Sequence, residues 1–191
     1  MLITQVTENF YKFDNVFDDV LLSTLLKVFA SDKTNWLAIP DGRSPLPRLQ
    51  YKPEFNVVDY DQLCNDILDT LAPARELAEK LVGTLYPNNL QLWYDPEGYI
   101  NTIHKGDVSP NHGVNMQVYL TDGNENMGTY CYDKILGESV NKWHTIPYKR
   151  NCGYMMFHPT QVPHGMKHHV VGERISLYQS FRPTEIPSDI W

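Results

Sequence analysis

The sequence is poor in cysteine. Three cysteines occur in 191 residues, Cys64, Cys131 and Cys152, and no two of them form a Cys-x-x-Cys pair. An odd number of cysteines without such a pair argues against a disulfide framework and against a structural zinc site. We therefore expect reduced thiols that pack as small apolar side chains, and a cytoplasmic location.

Long apolar runs and an excess of basic residues are also missing. No apolar stretch approaches the length of a membrane-spanning helix. The first residues, "MLITQVTENFYKFD", lack the basic segment and apolar run of a secretory signal. The formal net charge is −7, whereas nucleic acids and anionic membranes attract basic surfaces. We expect no membrane contact, no nucleic-acid partner, and a small molecule or a peptide as the substrate.

Histidine is absent from the first 103 residues, and all seven histidines lie at or after residue 104. Imidazole chemistry is therefore confined to the second half of the chain. In the first half, apolar residues at helical spacing predict helices over 18–30 and 60–85. Pro73 lies inside the second of these segments and is expected to divide it into two helices.

The pattern changes near residue 89. Short aromatic or β-branched segments such as "LQLWY", "VNMQVYL" and "ISLYQSF" alternate with turn clusters such as "DPEG" and "TDGNEN". Several short strands at this spacing predict a sandwich or barrel. We therefore predict one mainly β domain of the α+β class over residues 1–191, with helical support over 1–88, a β-barrel core over 89–182 and a tail over 183–191.

Five residues of the second half form a chemical pattern. His104 has an acid, Asp107, close behind it, and His164 follows much later. Arg174 and Ser176 then lie two apart on one predicted strand, so their side chains share a face. A guanidinium with a hydroxyl beside it suits a carboxylate ligand. Two histidines and one carboxylate with open positions form the facial triad of non-haem Fe(II) oxygenases.

In the order of the segments "YDPEG", "HKGD", "NCGYMMF", "HG" and "ERISL", residues 89–182 resemble the Fe(II)/2-oxoglutarate-dependent oxygenases, in particular their prolyl-4-hydroxylase-like branch. The resemblance implies a double-stranded β-helix (jelly-roll) core and a dioxygenase that uses Fe(II), 2-oxoglutarate and O2 to hydroxylate its substrate. By the family's mechanism, His104 and His164 bind iron. Arg174 pairs with the distal carboxylate of 2-oxoglutarate, Ser176 assists, and Tyr94 lines the same pocket.

The carboxylate departs from the family pattern, because His-x-Asp has become His-x-Gly-Asp. In a regular strand Asp107 faces away from His104, whereas a β-bulge at Gly106 returns it to the same face as the third metal ligand. Alternatively, the glycine leaves room for a halide, as in related 2-oxoglutarate halogenases. Asp95 or Asp122 can also replace Asp107 if loops bring either one in.

Non-enzymatic alternatives are a degenerate barrel that binds a small acid without turnover, a cupin-like ligand-binding β-barrel and an interaction β-sandwich. Cupins usually carry a His-x-His pair with a nearby Glu, and the sequence contains no His-x-His. An interaction module has no need of two histidines followed by Arg-x-Ser in this order.

Overall fold

The computed structural model describes residues 1–31, 33–40, 42–52, 58–105, 113–157 and 162–183. Within these ranges the chain has two helices, two short 3-10 turns (Lys33–Asn35 and Glu125–Met127) and eleven strands. The helices are α1 (Asp19–Phe29) and α2 (Tyr60–Val82). The strands are β1 (Leu2–Gln5), β2 (Phe10–Asp14), β3 (Leu37–Ile39), β4 (Arg48–Gln50), β5 (Leu85–Pro96), β6 (Val114–Tyr119), β7 (Thr129–Lys134), β8 (Asn141–Ile146), β9 (Cys152–Phe157), β10 (His164–Gly165) and β11 (Glu173–Pro183).

The strands form two antiparallel sheets. The major sheet has eight strands in the order β1-β2-β9-β6-β11-β5-β4-β3, and the minor sheet has three in the order β10-β7-β8. Neighbours in the major sheet, such as β6 and β11, are far apart in sequence. Two sheets built from strands that are distant in sequence form the double-stranded β-helix core that the family resemblance implies, and the predicted fold class is confirmed.

Both helices pack on the outer face of the major sheet. Each begins at an aspartate whose side chain caps it: Asp18 accepts a hydrogen bond from the Leu21 amide, and Asp59 accepts one from Gln62. Their apolar faces join the sheet in one core that includes Leu25, Val28, Ile67, Leu71, Leu92, Met116, Val118 and Leu177. Within the described residues, neither helix has the length and apolar character needed to cross a membrane.

Pro73 does not divide α2, contrary to the prediction. The helix runs unbroken from Tyr60 to Val82 with Pro73 inside it. Pro73 is exposed, as is Asp69, whose carbonyl loses its helical donor. Water can satisfy that carbonyl, while Leu71 and Ala74 continue the buried stripe on the opposite side.

The first half of the chain contributes more than helices. The sequence predicts helical support over residues 1–88, yet β1 to β4 lie in this segment and complete the major sheet on both sides. β3 and β4 have three residues each, which is too short for a period-2 pattern to show. Such strands form because a partner strand is present, and sequence-local propensity does not reveal them.

A second core fills part of the space between the two sheets. It contains buried side chains from both halves of the chain, among them Phe10, Tyr99, Tyr119, Tyr148, Tyr154 and Met156. The remaining space is a cavity of about 370 Å³. The barrel therefore has a filled part and an open part, and the open part holds the candidate site.

Gly153 provides a test of the strand packing. It lies in β9 opposite Phe13 on one side and Val118 on the other. An added Cβ would run into the carbonyl oxygen of Gln117 and lie 2.8 Å from the Cα of Val118. We expect Gly153→Ala to destabilise the protein by ~1–3 kcal/mol, which corresponds to a fall in Tm of about 2–12 °C.

The control is Gly42→Ala, because a Cβ at Gly42 meets no atom within 4 Å. Thermal unfolding of both variants followed by circular dichroism makes the measurement. A Tm for Gly153→Ala that matches the control would contradict this strand pairing.

Candidate active site

His104 and His164 are held side by side by main-chain hydrogen bonds. The His104 amide donates to the His164 carbonyl at 2.9 Å, and the His164 amide donates to the His104 carbonyl at 2.8 Å. Residues that face each other in an antiparallel pair project to the same side. The two imidazole centroids are accordingly 4.6 Å apart. The structure thus brings together the two predicted iron ligands.

The same pairing continues behind the histidines. The Met166 amide donates to the Asn101 carbonyl at 2.6 Å, and the Val170 amide donates to Tyr99 at 2.8 Å. Gly165, which lies between His164 and Met166, has φ +149°. A Cβ there would lie 2.7 Å from the carbonyl oxygens of both Asn101 and Thr102. The glycine of the "HG" pair is therefore required for the close approach that places His164 opposite His104.

The ring nitrogens of both histidines are oriented by backbone carbonyls. Nδ1 of His104 is 2.8 Å from the Thr102 carbonyl, and Nδ1 of His164 is 2.8 Å from the Val162 carbonyl. A carbonyl only accepts, so each Nδ1 carries the proton and each Nε2 is the unprotonated nitrogen of the neutral ring. A backbone partner on the far nitrogen is the usual arrangement of a metal-bound histidine.

The environment keeps His164 neutral. Burial is the main cause that lowers the pKa of His164, to about 4. The hydrogen bond to the Val162 carbonyl acts in the opposite direction, and the electrostatic effect of nearby His104 and Arg43 lowers the pKa further. At neutral pH the imidazole is therefore unprotonated, which is the form that binds a metal ion.

Gly106 and the third predicted ligand, Asp107, lie outside the described residues, so the metal-binding role of Asp107 stays a prediction. In the described part of the chain, no group of three or more His, Cys, Asp or Glu side chains comes together as a metal site. Asp95 is instead bound by two arginines, and Asp122 accepts a hydrogen bond from the Arg150 amide at 3.1 Å.

Arg174 and Ser176 lie on β11 opposite Asp95 and Trp93 of β5. The Arg174 guanidinium is buried, donates to Asp95 at 2.7 Å and donates to the Met127 carbonyl at 3.0 Å. Ser176 accepts a hydrogen bond from Gln117 at 2.9 Å. Their predicted binding of 2-oxoglutarate remains a prediction.

Tyr94 lies on the other face of β5 from its neighbours Trp93 and Asp95. It packs against the helical core, where the Lys33 ammonium lies 4.9 Å from its ring centroid. Trp93 lines the cavity instead. The structure therefore does not bring Tyr94 into the pocket predicted for it, because alternate residues of a strand face opposite sides.

Sequence reasoning missed Arg48. This residue lies in a stretch rich in proline, glycine and arginine that shows no strand pattern. In the structure its guanidinium makes a two-point contact with Asp95, at 2.6 and 3.0 Å, and lies 3.8 Å from the Trp93 ring centroid. β4 is short and is recognisable only by its pairing with β5, so the local sequence around Arg48 gives no indication of a strand.

The cavity lies beside the paired histidines and is mostly polar. Its described lining includes His104, His164 and a set of side-chain amides, with two arginines and no carboxylate. The lining residues are Ile39, Pro40, Gly42, Arg43, Arg48, Gln50, Asn89, Gln91, Trp93, Asn101, His104, Asn115, Gln117, Tyr154, Met156, His164 and Tyr178.

Comparison with known proteins gives matches among solved structures. No protein-family model matches the sequence, and no curated protein matches it. A prolyl hydroxylase from Trichoplax adhaerens, solved with a hypoxia inducible factor peptide, superposes with TM-score 0.72 at 12% identity over 92% of this chain and 84% of that one. HygX from Streptomyces hygroscopicus, with nickel and 2-oxoglutarate bound, gives 0.62 at 17% identity over 93% and 84%.

A third structure is the α-ketoglutarate-dependent epimerase SnoN from nogalamycin biosynthesis, with TM-score 0.61 at 13% identity over 92% of this chain and 78% of that one. At identities this low, the superpositions establish the fold and do not establish the reaction. The resemblance seen in the sequence is confirmed at that level: the chain has the double-stranded β-helix fold of the Fe(II)/2-oxoglutarate-dependent oxygenases, prolyl-4-hydroxylases among them.

Proposed function

We propose that the protein is an Fe(II)- and 2-oxoglutarate-dependent dioxygenase that hydroxylates a small molecule or a peptide side chain. The observation that carries the proposal is the pair His104 and His164, whose Nδ1 atoms are both held by backbone carbonyls and whose rings lie together beside a polar cavity. Two imidazoles on one face supply two corners of a facial triad, and Asp107 is the proposed third.

The donor set fits Fe(II). Imidazole and carboxylate ligands are suited to Fe(II), and three protein ligands leave positions open. When bound, the iron with 2-oxoglutarate and O2 supplies the oxidising power that the protein side chains lack. The protein supplies position: the backbone pairing fixes both histidines, and their Nδ1 hydrogen bonds fix ring orientation.

Arg174 and Ser176 are the proposed partners of the distal carboxylate of 2-oxoglutarate. Arg174 keeps donors beyond those that contact Asp95 and Met127, because a guanidinium has five. Ser176 accepts from Gln117, so its own hydroxyl hydrogen is available to a ligand oxygen. A charge-assisted contact is strong in a buried site, where little water competes.

The cavity volume of about 370 Å³ supports a small substrate or one side chain of a larger one. Structures with this fold hold both kinds of ligand: the Trichoplax adhaerens enzyme is in complex with a peptide, and HygX has been solved with hygromycin B. The cavity of this protein is compatible with either class by size.

The first test uses metal binding. Anaerobic addition of Fe(II) and 2-oxoglutarate to the wild type should give the weak visible charge-transfer band of a 2-oxo acid chelated to iron. His104→Ala and His164→Ala each remove one proposed ligand, and we expect both to lose the band. His169→Ala is the control because His169 is exposed and near His164 in sequence. A wild type without the band, or His164→Ala with an unchanged band, would refute the proposed function.

The second test concerns Asp107. If it is the third ligand, Asp107→Ala should weaken Fe(II) binding by roughly tenfold or more, because a charged ligand is lost, and should stop 2-oxoglutarate turnover. Iron affinity is measured by anaerobic titration against a competing chelator. Unchanged affinity and turnover would remove Asp107 from the site, and a chloride-dependent shift of the visible band would favour a halide in its place.

The third test concerns Arg174. Arg174→Gln should raise the Kd of 2-oxoglutarate by roughly 10–100-fold, the range expected for one hydrogen-bonded charge. Arg182→Gln on the same strand is the control, because Arg182 is exposed. Calorimetry on the Ni(II)-loaded protein measures binding without turnover. Equal Kd values for the Arg174 variant and the control would show that another residue holds the distal carboxylate.

A further inference from the structure

Asp95 lies between two arginines from different strands. Arg48 of β4 contacts both of its carboxylate oxygens, at 2.6 and 3.0 Å, and Arg174 of β11 contacts Oδ2 at 2.7 Å. Asp95 is fully buried, and both arginines are buried as well. One carboxylate cannot neutralise two guanidinium groups, so this cluster carries one excess positive charge.

The excess charge borders the cavity through Arg48. Arg48 is a lining residue, as is Arg43, whereas no Asp or Glu belongs to the described lining. The protein as a whole has a formal charge of −7. A cavity whose described charged side chains are both arginines attracts anions, and its buried walls strengthen the interaction relative to the surface.

The Arg48 guanidinium is held in a fixed orientation. Its Nε and Nη2 donate to Asp95, and its Cζ lies 3.8 Å from the Trp93 ring centroid and 5.1 Å from that of Tyr99. Nη1 makes no hydrogen bond to the residues that the structure describes. A rigid, charged group with unused donors is preorganised for a carboxylate, because little entropy is lost when the ligand binds.

The rest of the lining suits a ligand that also forms hydrogen bonds. Asn101 and Asn115 both line the cavity, and the buried side-chain oxygen of each lacks a hydrogen-bond partner among the described residues. A ligand hydroxyl or amide could satisfy them, whereas an apolar ligand would leave them unpaired at a cost.

We propose that Arg48 is an anion-binding residue of the cavity and that it selects a ligand bearing a carboxylate. The proposal rests on the proposed function in one respect, which is that the cavity beside the histidines is the ligand chamber. The carboxylate is that of the substrate, because the proposed function already assigns the distal carboxylate of 2-oxoglutarate to Arg174. The two sources are separable by experiment.

The first arm compares 2-oxoglutarate with its 5-amide, 2-oxoglutaramate, by calorimetry on the Ni(II)-loaded protein. The amide keeps the chelating end and lacks only the distal charge. The second arm saturates the protein with 2-oxoglutarate and measures thermal shifts with a panel of carboxylic acids, each paired with its primary amide. Each arm uses the wild type, Arg48→Gln, Arg48→Lys and the exposed-site control Arg150→Gln.

We expect the wild type and Arg150→Gln to prefer acids over amides by about tenfold or more in the second arm, since a hydrogen bond to a charged group is lost with the amide. There Arg48→Gln should lose that preference, and Arg48→Lys should keep part of it because the charge remains. In the first arm Arg48→Gln should keep the preference for 2-oxoglutarate over its amide, and a loss there would assign the contact to 2-oxoglutarate and overturn the proposal.

Three results in the second arm would overturn the proposal: a wild type that binds amides as well as acids, an Arg48→Gln variant that keeps the preference for acids, or an Arg48→Lys variant without any such preference. If Arg48→Gln fails to fold, the acid and amide preferences of the wild type and of Arg48→Lys still test the proposal. A wild type that binds neither Ni(II) nor 2-oxoglutarate refutes the oxygenase function instead, and the acid and amide panel on the metal-free protein then tests Arg48 separately.

Discussion

The candidate site depends on one short piece of backbone pairing, the two hydrogen bonds between His104 and His164. They set the two imidazoles on one face, and the Nδ1 contacts to Thr102 and Val162 fix the orientation and tautomer of both rings. Gly165 permits the close approach, because a side chain there would collide with two carbonyls. The geometry of the proposed metal site is therefore a property of strand pairing, and side-chain packing needs only to preserve it.

The major sheet supplies the charges around that pair. Arg48, Asp95 and Arg174 come from β4, β5 and β11, so the buried cluster joins two strands of the first half of the chain to one of the second. Breaking such a cluster leaves a buried charge without a partner and costs stability. The same contacts hold Arg48 against the cavity. Support of the fold and the charge of the ligand chamber are thus linked in one set of residues.

The sequence predicted those features that depend on neighbouring residues along the chain. The two helical segments, the longer strands and the order of His104, His164, Arg174 and Ser176 were readable, because periodicity and spacing are present in the sequence itself. The short strands β1 to β4 and the role of Arg48 were not, because such strands take their form from partners distant in sequence. The continuous α2 across Pro73 and the orientation of Tyr94 likewise depend on which faces the tertiary structure leaves open or buries.

The most direct test of the account is X-ray absorption spectroscopy of the anaerobic Fe(II)-loaded protein, which counts imidazole ligands by their outer-shell scattering. If His104 and His164 bind the iron, we predict two imidazoles on the iron of the wild type, one in His104→Ala and one in His164→Ala, with two retained in His169→Ala. An iron site in the wild type with no imidazole scattering, or with scattering unchanged in both ligand variants, would contradict it.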